Sequence, residues 1–146
     1  MKIFIVFTAI MMMGLTCVVY QGDMNMYRHE QETLKMIAEE AACQAALCFD
    51  EEAYGRGIKR FDKAEAEKTV ASYIQAGKKL LAGGKKYEMT FEISYEDDEH
   101  GYNVVAEECL PAVILSVTAK TDDFFRLPFL QVNQITRKSK YEIKGL

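Results

Sequence analysis

Residues 3–22 read IFIVFTAIMMMGLTCVVYQG, and no charged side chain occurs among them. An α-helix needs about 20 mainly apolar residues to cross a bilayer, within a range of roughly 17–25. The 18 residues from Ile3 to Tyr20 are therefore enough for one crossing. No proline separates this run from the alanine-rich helical pattern that follows. The sequence thus predicts one helix that leaves a membrane and enters a domain.

We interpret residues 1–22 as an uncleaved transmembrane anchor and residues 23–146 as an extracytoplasmic domain. Lys2 and the terminal amine favour a cytoplasmic N-terminus, so the expected location is the cell membrane, single-pass, with the domain extracellular. The residues expected to carry membrane and lateral helix contacts are Ile3, Ile5, Val6, Ile10, Leu15, Val18 and Val19.

Three alternatives to the anchor remain open. A cleaved secretory signal has a similar apolar core, but no clear A-x-A pattern follows Cys17. A lipoprotein signal would use Cys17, although Gly14-Leu15-Thr16 matches a lipobox poorly. The third alternative is a core helix of a soluble protein, for which a run this long without a charge is unusual.

The next segment carries a helical apolar stripe of small residues. Leu34, Ala38, Ala41, Ala45 and Cys48 recur at alternating spacings of four and three, which places them on one face of a helix. We expect this face of a helical stalk, residues 23–52, to pack on a sheet, because alanine allows a neighbouring element to approach closely.

The remainder of the domain changes from helical to strand periodicity. Asp62, followed by Glu65, predicts the N-cap of a second helix over residues 62–82. From Tyr87 to Tyr95 apolar and polar residues alternate, and residues 112–121 and 136–144 also favour strands. The predicted fold class is therefore α+β, with the two helices followed by an antiparallel sheet of three to four strands in residues 87–144.

Composition and motifs argue against several functions. Outside the anchor the chain has 17 basic and 22 acidic residues, a formal charge of −5, which disfavours nucleic acid as a partner. No catalytic signature occurs, and the acidic clusters are interpreted as solvated faces or turns, including Asp97-Asp98-Glu99 before His100. We therefore expect no enzyme activity, no cofactor and no metal, and a small-molecule ligand is disfavoured.

Three cysteines lie outside the apolar run. Cys48 lies on the apolar stripe and is the preferred disulfide partner of Cys109 if the domain is extracellular. The alternative is that Cys43, Cys48 and Cys109 are all buried free thiols.

The layout resembles the TadE/TadG-like pseudopilins, minor pilins of tight-adherence (Tad) secretion systems. The resemblance lies in the apolar N-terminus, the stretch from Ile37 to Ala46 (IAEEAACQAA), the mixed domain and the closing strand around Arg137. It implies a structural subunit that packs through its N-terminal helix beside membrane lipid and other pilus-assembly subunits. Counting five residues from Gly14 or Gly22 reaches Val19 or Tyr27, so the Glu of a prepilin peptidase site is absent.

Two other functions are kept as alternatives. The first is a membrane-tethered extracellular binding or sensor module, with a ligand cleft between the sheet and the apolar connection of residues 124–130. The second, weaker alternative is a secreted hydrolase, which the absence of a nucleophile–base pattern opposes.

Overall fold

A computed structural model describes residues 1–81, 86–102 and 110–143. One helix, α1 (Lys2–Ala46), contains both the apolar run and the alanine stripe. Its 45 residues correspond to a length of about 67 Å. Helical structure continues through Gly14 and Gly22, because neither position is followed by a proline or another break.

The predicted stalk of residues 23–52 is not one continuous helix. Helix α1 ends at Ala46, and a short helix α2 (Glu51–Gly55) begins after Asp50, whose side chain accepts a hydrogen bond from the amide of Ala53. Between the helices Phe49 forms a β-bridge with Phe61 and stacks on its ring. Backbone hydrogen bonds from Asp50 to Arg60 and from Asp62 to Cys48 accompany this bridge, so the chain after Leu47 pairs with a later segment instead of continuing α1.

Helix α3 (Lys63–Gly77) follows, and its N-cap is Asp62 as predicted, accepting from the amide of Glu65 at 3.1 Å. The helix ends at Gly77 rather than near residue 82. Gly77 lies against α1, where a Cβ at this position would be 2.9 Å from the Ile37 side chain. Residue 82, where the helix was predicted to end, lies outside the described residues.

Three strands form an antiparallel sheet in the order β1 (Glu88–Glu96), β2 (Ala112–Lys120) and β3 (Gln134–Glu142). Alternate residues of the central strand, from Val113 to Ala119, are buried, while the polar residues of β1 from Glu88 to Ser94 face solvent. Glu96, at the end of β1, is buried and pairs with Lys140. The last strand begins two residues earlier than predicted. The sequence allowed a fourth strand, and residues 103–109 between β1 and β2 lie outside the described residues.

The core lies between the helices and one face of this sheet. Helix α1 crosses β2 and β3, and α3 packs beside α1. The buried alanines of α1 permit this close layering, because they bring the helix backbone near the sheet. The α+β fold expected from the sequence is confirmed.

Candidate functional site: the exposed helix and its base

The rest of the chain leaves the first half of α1 largely exposed to solvent. None of its most apolar 18-residue window is buried, and the helix is long and apolar enough to span a membrane. The residues expected to carry membrane and lateral contacts are 37–87 % exposed; these are Ile3, Ile5, Val6, Ile10, Leu15, Val18 and Val19. Large apolar side chains cover every side of this segment, a distribution that suits lipid or neighbouring apolar helices.

The hydroxyl groups in this half are satisfied within the helix. Thr8 donates to the carbonyl of Phe4 at 2.9 Å, and Thr16 donates to that of Met12 at 2.8 Å. A polar group without a hydrogen-bond partner in the lipid interior would cost roughly several kcal/mol of free energy. Both threonines are therefore compatible with a nonpolar surrounding.

The character of α1 changes at Asp23, which is only 4 % exposed. Its carboxylate accepts a hydrogen bond from the amide of Arg126 at 2.8 Å, and the Arg126 guanidinium lies 3.5 Å away. Arg126 belongs to the segment between β2 and β3, residues 121–133, which we call the base loop. Asp23 thus fixes the base loop to the helix where the apolar run ends.

Aromatic contacts reinforce this attachment. Phe125 stacks on Tyr20 with ring centroids 6.2 Å apart, and Phe124 meets the edge of Tyr27 at 5.3 Å. Phe124 and Phe125 are buried by these contacts. The apolar connection therefore packs against α1 at its membrane-proximal end, so the side where a ligand cleft was considered is filled by these rings.

The second half of α1 carries the residues expected to join helix and sheet. Leu34, Ala38, Ala41 and Ala45 are all at most 1 % exposed. Cys48 lies beyond the end of α1 and is partly buried against the core. Burial of a side chain of leucine size stabilises by about 1.5–3 kcal/mol, and alanine positions contribute mainly by close packing.

The Cys48 thiol lies 3.8 Å from the hydroxyl of Thr69. Burial raises the pKa of this thiol, and the Thr69 hydrogen bond opposes that rise. Cys109 lies outside the described residues, so the Cys48–Cys109 disulfide stays a prediction.

The sequence analysis did not predict that two acidic residues of α1 are buried. Asp23 and Glu30 extend the stripe of Leu34 and Ala38 backwards by the same helical spacing, and Glu30 is only 1 % exposed. Burial and the nearby Glu30 carboxyl group raise the pKa of Tyr87 to about 12. The stripe could have revealed both acids, but acidic residues on a helix usually indicate a solvated face.

The far end of the domain contains a further buried acid. Asp97 was expected in a solvated turn, but it is fully buried, and it accepts hydrogen bonds from the amides of Glu99 and His100 and contacts the His100 ring. Burial raises the Asp97 pKa, but these interactions with His100 outweigh it and lower the pKa. The neighbouring Asp98 accepts from the amide of Lys59 at 2.8 Å, which joins the end of β1 to the loop before α3.

Within residues 1–81, 86–102 and 110–143, no group of three or more His, Cys, Asp or Glu side chains is placed to hold a metal ion. Asp50 and Asp62 cap helices, Asp97 closes a turn, and Asp23 and Asp98 attach loops.

The long apolar N-terminal helix, the short helices and the three-stranded sheet packed on the first helix define a pilin-like architecture. Comparisons of the chain with models of protein families, with curated proteins and with solved structures found no match.

Proposed function

We propose that this chain is a non-enzymatic, single-pass structural subunit of a Tad-type pilus or secretion apparatus, a pseudopilin or minor pilin. Its N-terminus lies in the cytoplasm and its domain outside the cell. The observation that carries the proposal is the division of α1, whose second half forms the core of the domain while its first half presents large apolar side chains on every side.

The chemistry of the domain supports a structural role. Asp50 and Asp62 cap helices, and Asp97 closes a turn. These carboxylates are committed to backbone hydrogen bonds, which leaves them poorly suited to proton transfer with a substrate. The proposed partners are membrane lipid and the apolar helices of other pilin-like subunits.

Cysteine cross-linking in the membrane tests the lateral contacts. Single cysteines are placed in turn at residues 9–16 of a full-length chain whose four native cysteines are replaced (Cys17→Ser, Cys43→Ser, Cys48→Ala and Cys109→Ser), which is reconstituted in vesicles and oxidised. A specific helix bundle gives cross-linked species that recur every three to four positions, because only one face meets the neighbour. Met36→Cys, on an exposed face of the same helix outside the apolar run, is the matched control. The absence of cross-links at every tested position would contradict lateral packing.

The intact mass of the protein from the membrane fraction of its native cell tests processing. A full-length mass supports an uncleaved, resident component. A mass lacking the first 14 to 22 residues together with release into the medium would contradict the membrane subunit. Co-purification with a secretion ATPase and a prepilin peptidase would support the Tad assignment.

A further inference from the structure

We propose that the base loop is a second membrane contact, which docks on the bilayer surface on the domain's side and places Phe129 among the lipid headgroups. The proposal rests on the membrane-spanning role of α1 given above. The headgroup region of the bilayer would thus cover the exposed side of the base loop.

The depth of the base loop follows from its attachment to α1. A hydrocarbon core about 30 Å thick accommodates about 20 helical residues, so a span that begins at Ile3 ends near Gly22. The headgroup layer adds about 5–7 Å on each side, which corresponds to roughly residues 23–27. The base loop contacts α1 at Tyr20, Asp23 and Tyr27, and these residues bracket that layer.

The shape of the base loop directs an aromatic side chain outward. The amide of Leu130 donates to the carbonyl of Leu127 at 3.1 Å, which closes a turn with Pro128 and Phe129 at its tip. Phe129 is 75 % exposed, although Phe124 and Phe125 in the same loop are buried. The contacts within the chain thus account for two of the three rings and leave the third at the surface.

Of the three charges in the base loop, that of Arg126 suits the same location, whereas Asp123 accepts hydrogen bonds from the amides of Phe125 and Val132 and Asp122 is exposed. The Arg126 side chain is 76 % exposed, and its guanidinium pairs loosely with Asp23. Phenylalanine rings on surface-bound segments bury at the boundary between headgroups and acyl chains, and arginine interacts favourably with lipid phosphate groups there. Asp23 has its carboxylate occupied by the Arg126 amide, so an acid at this depth keeps a hydrogen-bond partner when water is depleted.

The absence of tryptophan in the sequence permits a direct test. The full chain carrying Phe129→Trp is reconstituted into phosphatidylcholine–phosphatidylglycerol vesicles whose acyl chains are brominated close to the headgroup. We expect a blue-shifted emission and a loss of intensity on replacing ordinary lipid with brominated lipid. Ile58→Trp, at an exposed apolar position between α2 and α3, is the control and should keep a solvent-like, unquenched emission.

Two results would overturn the proposal. Quenching of F129W no greater than that of I58W would place the ring in water. A blue shift of F129W that disappears when the protein is diluted into excess lipid would assign the ring to a neighbouring subunit. Flotation of the same vesicles reports insertion of α1 separately, and residue 129 takes no part in the cross-linking scan, so failure of this proposal is distinguishable from failure of the proposed function.

Discussion

The two halves of α1 share one backbone but differ in side-chain size and in what covers them. The half up to Gly22 carries large apolar side chains that the chain leaves exposed, whereas the half from Asp23 turns toward the sheet and α3 a face in which five of the ten buried residues are alanine. Small side chains are found where α1 packs on other elements of the same chain, because they allow those elements to approach closely. Large apolar side chains are found where lipid or other molecules would surround α1, because these surroundings do not require the side chains to fit a fixed shape.

The largest expected effect is a charge in the covered half. Ala41→Asp buries an ion among apolar neighbours, and we expect a loss of about 4 kcal/mol or more, enough to unfold many domains. Thermal unfolding followed by circular dichroism measures this. Met36→Asp, half-exposed on the same helix, should cost less than about 1 kcal/mol. Normal thermal stability of the A41D variant would refute the packing of α1 on the sheet.

A charged residue in the exposed half of α1 should impair membrane insertion without changing the stability of the domain. Ile10→Lys places a cation near the middle of the span, at a cost of about 3 kcal/mol for insertion. Vesicle flotation should show loss of insertion, while the unfolding temperature of the domain is unchanged. Ile10→Leu is the control that keeps insertion. If I10K lowered the stability of the domain as much as A41D does, the two halves would not be independent.

Glycine substitutions sharpen the comparison at a smaller scale. Gly77→Ala brings a Cβ within 2.9 Å of Ile37, and we expect a loss of about 1–3 kcal/mol in denaturant unfolding. Gly14→Ala, whose Cβ meets nothing within 4 Å, should leave the stability of the domain unchanged. Adding Ile37→Val to G77A should recover part of the loss, because it removes one of the atoms in contact. Unchanged stability of G77A would show that α1 and α3 are not held this closely.

Acid should lower the stability of the folded domain without affecting the exposed half of α1, and this is the smallest of the expected effects. The pKa of Asp97 is lowered from 3.8, so its contribution to stability is fully present above this value and is lost as pH falls through the lower, folded-state pKa. The exposed half has no carboxylate to titrate. The denaturant midpoint of the wild type should fall more between pH 5 and pH 2 than that of Asp97→Asn. Equal falls would remove Asp97 as a source of this sensitivity.

Period and capping residues were sufficient to predict the order of the two longer helices and the three strands, but not the short helix α2 between them. Leu34 with the alanine stripe indicated the helix face in the core, and Asp62 indicated the start of α3. These signals are local, because they depend only on spacing within one element. The end of α1 was not predicted, since it depends on Phe49 meeting Phe61, which lies twelve residues away in sequence and is brought near only by the fold.

The base of the domain was harder to predict for a related reason. Asp23 and Arg126 are more than one hundred residues apart, and neither side chain alone indicates burial. Phe124 and Phe125 were recognised as an apolar connection, but their position against Tyr20 and Tyr27 depends on how β2 crosses α1. Polar residues that become buried through distant contacts leave little trace in a single sequence.

The unbroken course of α1 links two properties that a hinged linker would separate. Each helical residue adds about 1.5 Å of rise and about 100° of rotation. One residue inserted between Ile3 and Tyr20 would therefore raise the domain and also turn it by more than a quarter of a revolution relative to the residues before the insertion. The distance of the domain from the membrane and its orientation about the helix axis therefore change together. The domain returns to within about 20° of its original orientation only after seven inserted residues. A neighbouring subunit that recognises one side of the domain would therefore tolerate an insertion of seven residues better than an insertion of two.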